Sequence, residues 1–371
     1  MPVNTENLRV RIAIVLPPGS LFCSHRPNSM ETVVRTLLPF RSDAEEVAIF
    51  CDPGAQSYDV DVPVFAVGHS TPDKLLTALQ SFDPDIVEFH QNVIGAARLA
   101  KHLPYARLVS YRHNALKPPK NPIDSLRYHR RYRHMDRFVF VSRSEQFRFM
   151  RDYPALQGRA VALTNPINAE GWLADIGERD RQIVFSGRAI PEKGVAEICK
   201  ALPKVLDARP DWKAVLLLND WAQHHTWAAP HVAPLRRYGE RVKVMHSIPL
   251  GEVQQIMKRS DIALTPSLWA EPLGLTALEA HAAGAALISS GRGGLREASG
   301  PHALYVDDVT PDTLAQAMLQ LIDDRPRRLA MAMAAQAYAL DQHSPVRRSQ
   351  ELTRLRLELA GHPVREMSVA A

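Results

Sequence analysis

The sequence predicts an α/β protein made of two doubly wound, Rossmann-like domains that face each other across a cleft. Three observations lead there. The chain has 371 residues, too many for one ordinary core and a fit for two domains of ordinary size. Short apolar runs rich in β-branched residues recur in two separate series along it, and helical stretches separate many of them.

The first series starts at Arg11–Leu16, which empties into Pro17-Pro18-Gly19 as the first strand of such a sheet should. Helical spacing follows over Ser29–Leu38, and strands are then expected at Glu46–Phe50, Ile86–His90, Leu108–Tyr111 and Phe138–Val141. A second series comprises Ile183–Ser186, Lys213–Leu218, Val242–Met245, Ile262–Thr265, Ala286–Ser289 and Ala303–Val306. From Pro311 to Leu359 the chain is helical in character, with Ser344-Pro345 as a kink. The expected division is one Rossmann-like domain over 1–170, a second over 171–343, and a C-terminal helix over 344–371. Open parallel sheets bind ligands outside the C-terminal ends of their strands, so the functional residues belong on the loops there.

Composition narrows the class. Hydrophobic residues make up 46% and charged residues 23%, as in soluble globular proteins. No run of eighteen apolar residues exists, and the Met1–Asn7 segment lacks the basic and apolar regions of a secretory signal, so a cytoplasmic location is expected. Cys23, Cys51 and Cys199 are three, scattered and odd in number, which reads as reduced thiols rather than a disulfide or metal framework.

The stretch from Pro266 to Ala280, PSLWAEPLGLTALEA, carries the most chemistry. Glu271 precedes Pro272, which disfavours helix at the residue before it, and Glu279 is expected about two turns into the following helix. Between them the N–H groups of Leu273, Gly274 and Leu275 would lie at a helix N-terminus, a seat for hydroxyl or phosphate oxygens. Upstream, Ser186-Gly187-Arg188 and Glu192-Lys193-Gly194 place an arginine fork and a mobile ammonium after an apolar strand, suited to a diphosphate leaving group. Gly293-Gly294 follows a later strand as a turn.

In their order, two glutamates with seven residues between them around Pro-x-Gly, the Gly-Arg and Glu-Lys-Gly elements, Glu279-Ala280-His281-Ala282-Ala283-Gly284 and the Gly-Gly-x-x-Glu turn resemble the signature of retaining glycosyltransferases of the GT-B fold, family four. The resemblance implies a hexosyltransferase whose domain over 1–170 binds the acceptor, whose domain over 171–343 binds the nucleotide sugar, and whose helix over 344–371 crosses back to the first domain. In it, Glu271 acts at the donor sugar with backbone contacts from Leu273, Gly274 and Leu275, and Glu279 binds ribose. Arg188 and Lys193 hold the diphosphate, while Gly187 and Gly294 line the nucleotide pocket. It also implies His113, after the strand Leu108–Tyr111, as a second catalytic residue beside the transferred sugar, with His90 a further candidate. Gly19 would bring backbone N–H groups to the diphosphate, although Asn28-Ser29 stands where many members have Gly-Gly, and Ala285 where proline is usual.

A nucleotide-diphosphate sugar, UDP- or GDP-linked, is the expected substrate, with no cofactor and no metal. Asp83-Pro84-Asp85 precedes a strand and reads as an entry turn, and His224-His225 lacks a third ligand nearby. Residues 101–150 hold twelve Lys/Arg against three Asp/Glu. Within them Arg127–Arg137 combines five arginines with two tyrosines. Such a segment suits an anionic membrane surface at the inner face of the cell membrane, with the tyrosines as anchors, or a solvated helix face; no nucleic-acid module accompanies it. The acceptor implied is a glycan or lipid-linked glycan, such as a lipopolysaccharide core or an exopolysaccharide. The competing readings are a nucleotide-sugar epimerase or hydrolase of the same shape, which needs dedicated acid/base groups, and a non-catalytic glycan- or nucleotide-binding protein.

Overall fold

The computed structural model describes residues 9–24, 28–68, 72–114, 116, 118–177 and 179–361. The N-terminal segment read above for a signal, and residues 362–371 of the expected C-terminal helix, lie outside them. The chain divides into two compact units, one running to Pro166 and resuming at Pro345, the other spanning Ile167–Ser344.

The first unit contains β1 (Val10–Val15), α1 (Ser29–Leu37), β2 (Glu45–Cys51), β3 (Val64–Ala66), α2 (Pro72–Phe82), β4 (Ile86–His90), α3 (Val93–Leu99), β5 (Arg107–Arg112), α4 (Pro122–Tyr132), β6 (Arg137–Phe140), α5 (Arg143–Asp152) and β7 (Ala160–Ala162). Its seven strands form one sheet in the order β3-β2-β1-β4-β5-β6-β7. All pairings are parallel; Ile12, for example, lies between Val47 and Ile86. The central strands are buried on both faces, which is why they read as continuous apolar runs rather than alternating ones. Phe50, Phe65, Phe89, Phe138, Phe140 and Phe149 fill one core face, with Phe50 and Phe65 stacked at 4.8 Å.

The second unit contains β8 (Gln182–Arg188), α6 (Val195–Ala208), β9 (Lys213–Asn219), α7 (Trp221–Val232), β10 (Val242–His246), α8 (Leu250–Arg259), β11 (Ile262–Thr265), α9 (Leu275–Ala282), β12 (Ala286–Ser289), α10 (Leu295–Ser299), β13 (Leu304–Tyr305), α11 (Pro311–Asp323) and α12 (Arg325–Gln342). Its strand order is β10-β9-β8-β11-β12-β13, again parallel throughout. In both sheets the order reverses beside the first strand of the unit, and the loops leaving that point are where such sheets take ligands.

At Ser344-Pro345 the chain leaves the second unit and starts α13 (Pro345–Leu359), with proline at a helix start where its missing N–H costs nothing. The helix is tied into the first unit by buried polar groups. Arg356 Nε and Nη2 donate to the two oxygens of Glu88 at 2.8 and 2.7 Å, and its Nη1 donates to Glu45 Oε1 at 3.2 Å. Thr353 Oγ1 donates to the other Glu45 oxygen, and Ser349 Oγ to the Phe40 carbonyl. Burial alone would push the Glu88 carboxyl up, but the Arg356 charge and hydrogen bonds bring it down to about 2.

Candidate functional site

Two loops of the second unit, about eighty residues apart in sequence, meet at the ends of β8 and β11. After β8 the chain makes one tight turn, Pro191–Lys193, closed by the Gly194 N–H donating to the Pro191 carbonyl at 3.0 Å. Gly194 takes a left-handed φ of 73°, and a Cβ there would fall 2.4 Å from the Pro266 carbonyl oxygen, so glycine lets the turn lie directly on the exit of β11. The contact is sealed by the Leu268 N–H donating to the Glu192 carbonyl at 2.8 Å.

This junction joins the two charged residues of the motifs. Lys193 Nζ donates to Glu271 Oε1 at 2.6 Å, and Ser267 Oγ donates to the same oxygen at 2.5 Å. Glu271 is buried, so the ammonium and hydroxyl provide the partners a buried carboxylate requires. Both bonds fall on one carboxylate oxygen and fix the orientation of the other. Trp269 stands beside the pair, with the ammonium 6.0 Å from its ring centre, and its indole N–H is buried without an acceptor. Arg188, last residue of β8, is exposed and has no side-chain partner.

The Glu271 loop is held from behind by the Gly293-Gly294 turn. Glu271 and Gly293 form a parallel bridge, and the Gly294 N–H donates to the Glu271 carbonyl at 2.8 Å. A Cβ on Gly293 would lie 2.3 Å from the Glu271 oxygen, and one on Gly294 2.3 Å from that of Pro272. Gly294, expected in the nucleotide pocket, therefore serves backbone packing on this side. Gly187 is similar: the space for its Cβ is filled by the Phe185 ring two residues earlier on the same strand face.

Gly274, φ 101°, caps α9 without any side-chain acceptor, and the N–H groups of Leu273, Gly274 and Leu275 find no acceptor among the described residues. They are free donors at a helix N-terminus. Because α9 begins only at Leu275, Glu279 sits little more than one turn into it rather than two. Its carboxyl is partly accessible but has no protein partner, and burial pushes it up to about 7. His281, two residues on, is buried, paired with Ser299 Oγ at 2.8 Å and held neutral by burial, its pKa down to about 3. It is a structural residue.

The first unit departs from expectation at two positions. Gly19 has the left-handed φ of 86°, but its N–H donates to Asp52 Oδ2 at 2.6 Å, so a carboxylate already stands where a diphosphate was expected. The start of α1 is likewise occupied: the Asn28 side chain accepts from the N–H groups of Met30 and Glu31, and Glu31 reaches back to the Asn28 N–H. His113 lies in a stack of three rings with Tyr111 and His90, and its Nε2 is 2.9 Å from His90 Nδ1. Its Nδ1 is buried without a partner. Burial, with His90 and Arg112 nearby, holds the ring well below the usual histidine range, so it is neutral and its nitrogens are turned into the protein. The two rings thus pair with each other through one nitrogen each, while the His113 residue stays partly exposed. Asp85 accepts from the Arg11 N–H at 2.8 Å at the entrance to β4, as an entry turn should.

Ser267, Trp269 and Arg292 were not singled out from sequence. Arg292 Nη1 donates to the Leu268 carbonyl and so braces the same loop. The available signal was position: Pro266-Ser267 ends β11, and a hydroxyl four residues before a glutamate can fold back on it.

Two units, each built on a parallel, doubly wound α/β sheet, make up the GT-B fold. Residues 174–338 match the family model for glycosyl transferases group 1. Among similar proteins, a GDP-mannose-dependent phosphatidylinositol monomannoside mannosyltransferase of Corynebacterium glutamicum is 30% identical over 167 residues, 42% of each chain. An alpha-maltose-1-phosphate synthase of Mycolicibacterium smegmatis is 28% identical over 236 residues, covering 56% of this chain and 59% of that one. The chain thus matches only about two fifths of the length of the first of these relatives. In structure, Anabaena HepE in complex with UDP and glucose aligns with a TM-score of 0.74 at 18% identity, over 94% of this chain and 99% of that one. Sucrose-phosphate synthase from Thermosynechococcus elongatus aligns at 0.76 and 16%, over 95% and 100%.

Proposed function

We propose that the protein is a retaining glycosyltransferase that moves a hexosyl group from a UDP- or GDP-sugar to a glycan or lipid-linked glycan. The observation that carries this is the Lys193–Glu271–Ser267 junction beside the free N–H groups of Leu273, Gly274 and Leu275. A cation for a phosphate, a fixed carboxylate for sugar hydroxyls and open backbone donors lie together in the second unit. In this reading Arg188 and Lys193 neutralise the departing diphosphate, and the free Glu271 oxygen orients the sugar. The unpartnered Glu279 carboxylate accepts from the ribose hydroxyls. The acceptor hydroxyl attacks from the face the diphosphate leaves, and a phosphate oxygen takes its proton. No side-chain nucleophile is used, in keeping with the inward-facing His113.

Both base types have support among similar proteins: a solved complex with UDP and glucose on one side, a GDP-mannose-dependent enzyme on the other. The latter's name also speaks for an acceptor carried on a lipid. The test is a thermal-shift panel of UDP-, GDP- and ADP-sugars, because a ligand of the folded state raises its unfolding temperature by mass action. One class should stabilise the protein strongly, and Lys193→Ala should abolish the shift. Glu271→Gln should keep nucleotide binding yet lower transfer by about two orders of magnitude, the scale of losing one preorganised polar contact at the reacting sugar. A protein that none of the nucleotides stabilises would overturn the proposal.

A further inference from the structure

Helix α4 has two faces of different chemistry. Tyr128 and Tyr132, one turn apart, stack at 6.0 Å and turn into the core of the first unit, where Tyr132 packs on Phe138, Phe149 and Tyr153. Tyr132 is 2% exposed. The tyrosines are therefore not membrane anchors, which corrects the role expected for them. The opposite face carries Ile123, Leu126, Arg127 and Arg130, a stripe at helical spacing. Ile123 and Leu126 are 71% and 64% exposed. Across a shallow groove, α3 adds Ile94, 44% exposed, and Arg98 one turn further on. Isolated exposed aliphatic residues are ordinary, but three around one groove with arginines between them form a patch.

The charges on this patch are unspent. Among the described residues Arg98 and Arg130 have no partner, and Arg127 has only Asp124, 3.8 Å away on its own helix. Arg131 contributes a cation lying 6.0 Å from the Tyr128 ring, and His134 continues the stripe. No acidic side chain lines the groove. We infer that the α3–α4 face docks on an anionic lipid surface, with the arginines on headgroup phosphates and Ile94, Ile123 and Leu126 entering the acyl boundary. Aliphatic side chains set among unpaired arginines match that layered partner. A nucleic acid offers phosphates to the arginines but no apolar layer for Ile94, Ile123 and Leu126 to enter, and the two tyrosines of α4, which could stack on bases, pack into the core. Among the described residues no helix is long and apolar enough to cross a membrane, so this contact is one that lies on the surface. The inference does not depend on the transfer chemistry: a chain without turnover would still bind.

Co-sedimentation of the full chain with vesicles tests it. The protein should pellet with vesicles containing about one third phosphatidylglycerol, stay in solution with phosphatidylcholine alone, and release as salt rises. Each arginine near an anionic surface is worth roughly fivefold in binding, so Arg127→Gln with Arg130→Gln should weaken it about 25-fold. Leu126→Ser should weaken it severalfold while leaving the salt dependence unchanged. All these side chains are exposed, so the unfolding temperature should hold, and Arg98→Gln provides a second charge removal on a different helix. Equal pelleting with neutral vesicles, or unchanged pelleting of the double variant, would overturn the inference. So would a wild type that ignores vesicles but retards single-stranded RNA through the same arginines.

Discussion

The two units repeat one architecture, yet they treat the loops at the C-terminal ends of their strands in opposite ways. In the second unit those loops keep their polar groups available: Arg188 is unpaired, and the donors at Leu273, Gly274 and Leu275 are open. In the first unit the equivalent groups are already used. The Gly19 N–H goes to Asp52, the start of α1 to Asn28 and Glu31, and the His113 ring to His90. Fold alone says where a loop emerges. Whether the loop can receive an anion is decided by which neighbour reaches its N–H groups first. The first unit has placed carboxylates there, which repel a diphosphate, and its buried charges serve to hold α13.

The sharpest way to break that contrast is to cut the α13 tie. Arg356→Met leaves Glu88 and Glu45 buried without their cation, and removing one partner of a buried pair costs about 3–5 kcal/mol. Urea unfolding should show the first unit losing stability by that amount while nucleotide-induced stabilisation of the second persists. The same tie sets an acid limit. Glu88 is held at about 2, below its ordinary 4.5, so its contribution is complete above that ordinary value and is lost as pH falls through about 2. A loss under 1 kcal/mol in the variant would mean that α13 is held by packing alone.

Next in size is Gly293→Ala. The new Cβ would meet the Glu271 carbonyl oxygen at 2.3 Å in a residue whose φ is 64°, and neither strain relaxes without moving the loop. A cost of about 2–4 kcal/mol is expected, together with loss of donor binding, because this turn supports the Glu271 loop. Retained binding would separate the turn from the site.

How much of this was legible follows from the same contrast. The central strands were readable because strands buried on both faces are uninterrupted apolar runs, as in Ile86–His90 and Ile262–Thr265. Strands β3 and β7 were not: three residues each at the two edges of the sheet carry too little pattern to rise above loop sequence. At the site, Arg188, Lys193, Glu271 and Glu279 stood out as charged residues at strand and helix ends. The Lys193–Glu271 contact itself did not, since it depends on Gly194 resting on Pro266, a meeting of residues about seventy apart. The glycines drew notice as possible ligand contacts, whereas Gly187, Gly293 and Gly294 are required by neighbouring protein atoms. The surroundings of His113 were hidden for a related reason: its stacking on Tyr111 and His90 comes from the register of β4 beside β5, which pairs His90 with Tyr111.

Glu279 offers a smaller and pH-dependent test of the open side of the contrast. Burial raises it from its ordinary 4.5 to about 7, so the stability tied to its proton is fully present below the ordinary value and is lost as pH rises through 7. Allowing for its partial exposure, the effect is about 2 kcal/mol. Glu279→Gln should flatten stability between those limits and make the ligand-free protein firmer at pH 8. If the ionised carboxylate accepts from ribose, wild-type nucleotide affinity should climb through pH 7 and that of the variant should not. Titration by calorimetry at several pH values distinguishes the two curves, and a flat wild-type curve would remove Glu279 from the nucleotide site.

The smallest effect is expected at Gly19, and it probes the closed side. Alanine there meets no atom within 4 Å, so only the left-handed φ of 86° is strained, at about 1 kcal/mol. The N–H to Asp52 survives the substitution, since alanine keeps the donor. Nucleotide affinity should therefore be unchanged in Gly19→Ala, while the same measurement on Gly293→Ala falls. An affinity loss of tenfold or more at Gly19 would show that Asp52 yields its N–H to the ligand when the nucleotide binds. The first unit would then be as open as the second, because a donor held by a carboxylate on an exposed loop can be exchanged for one held by a phosphate.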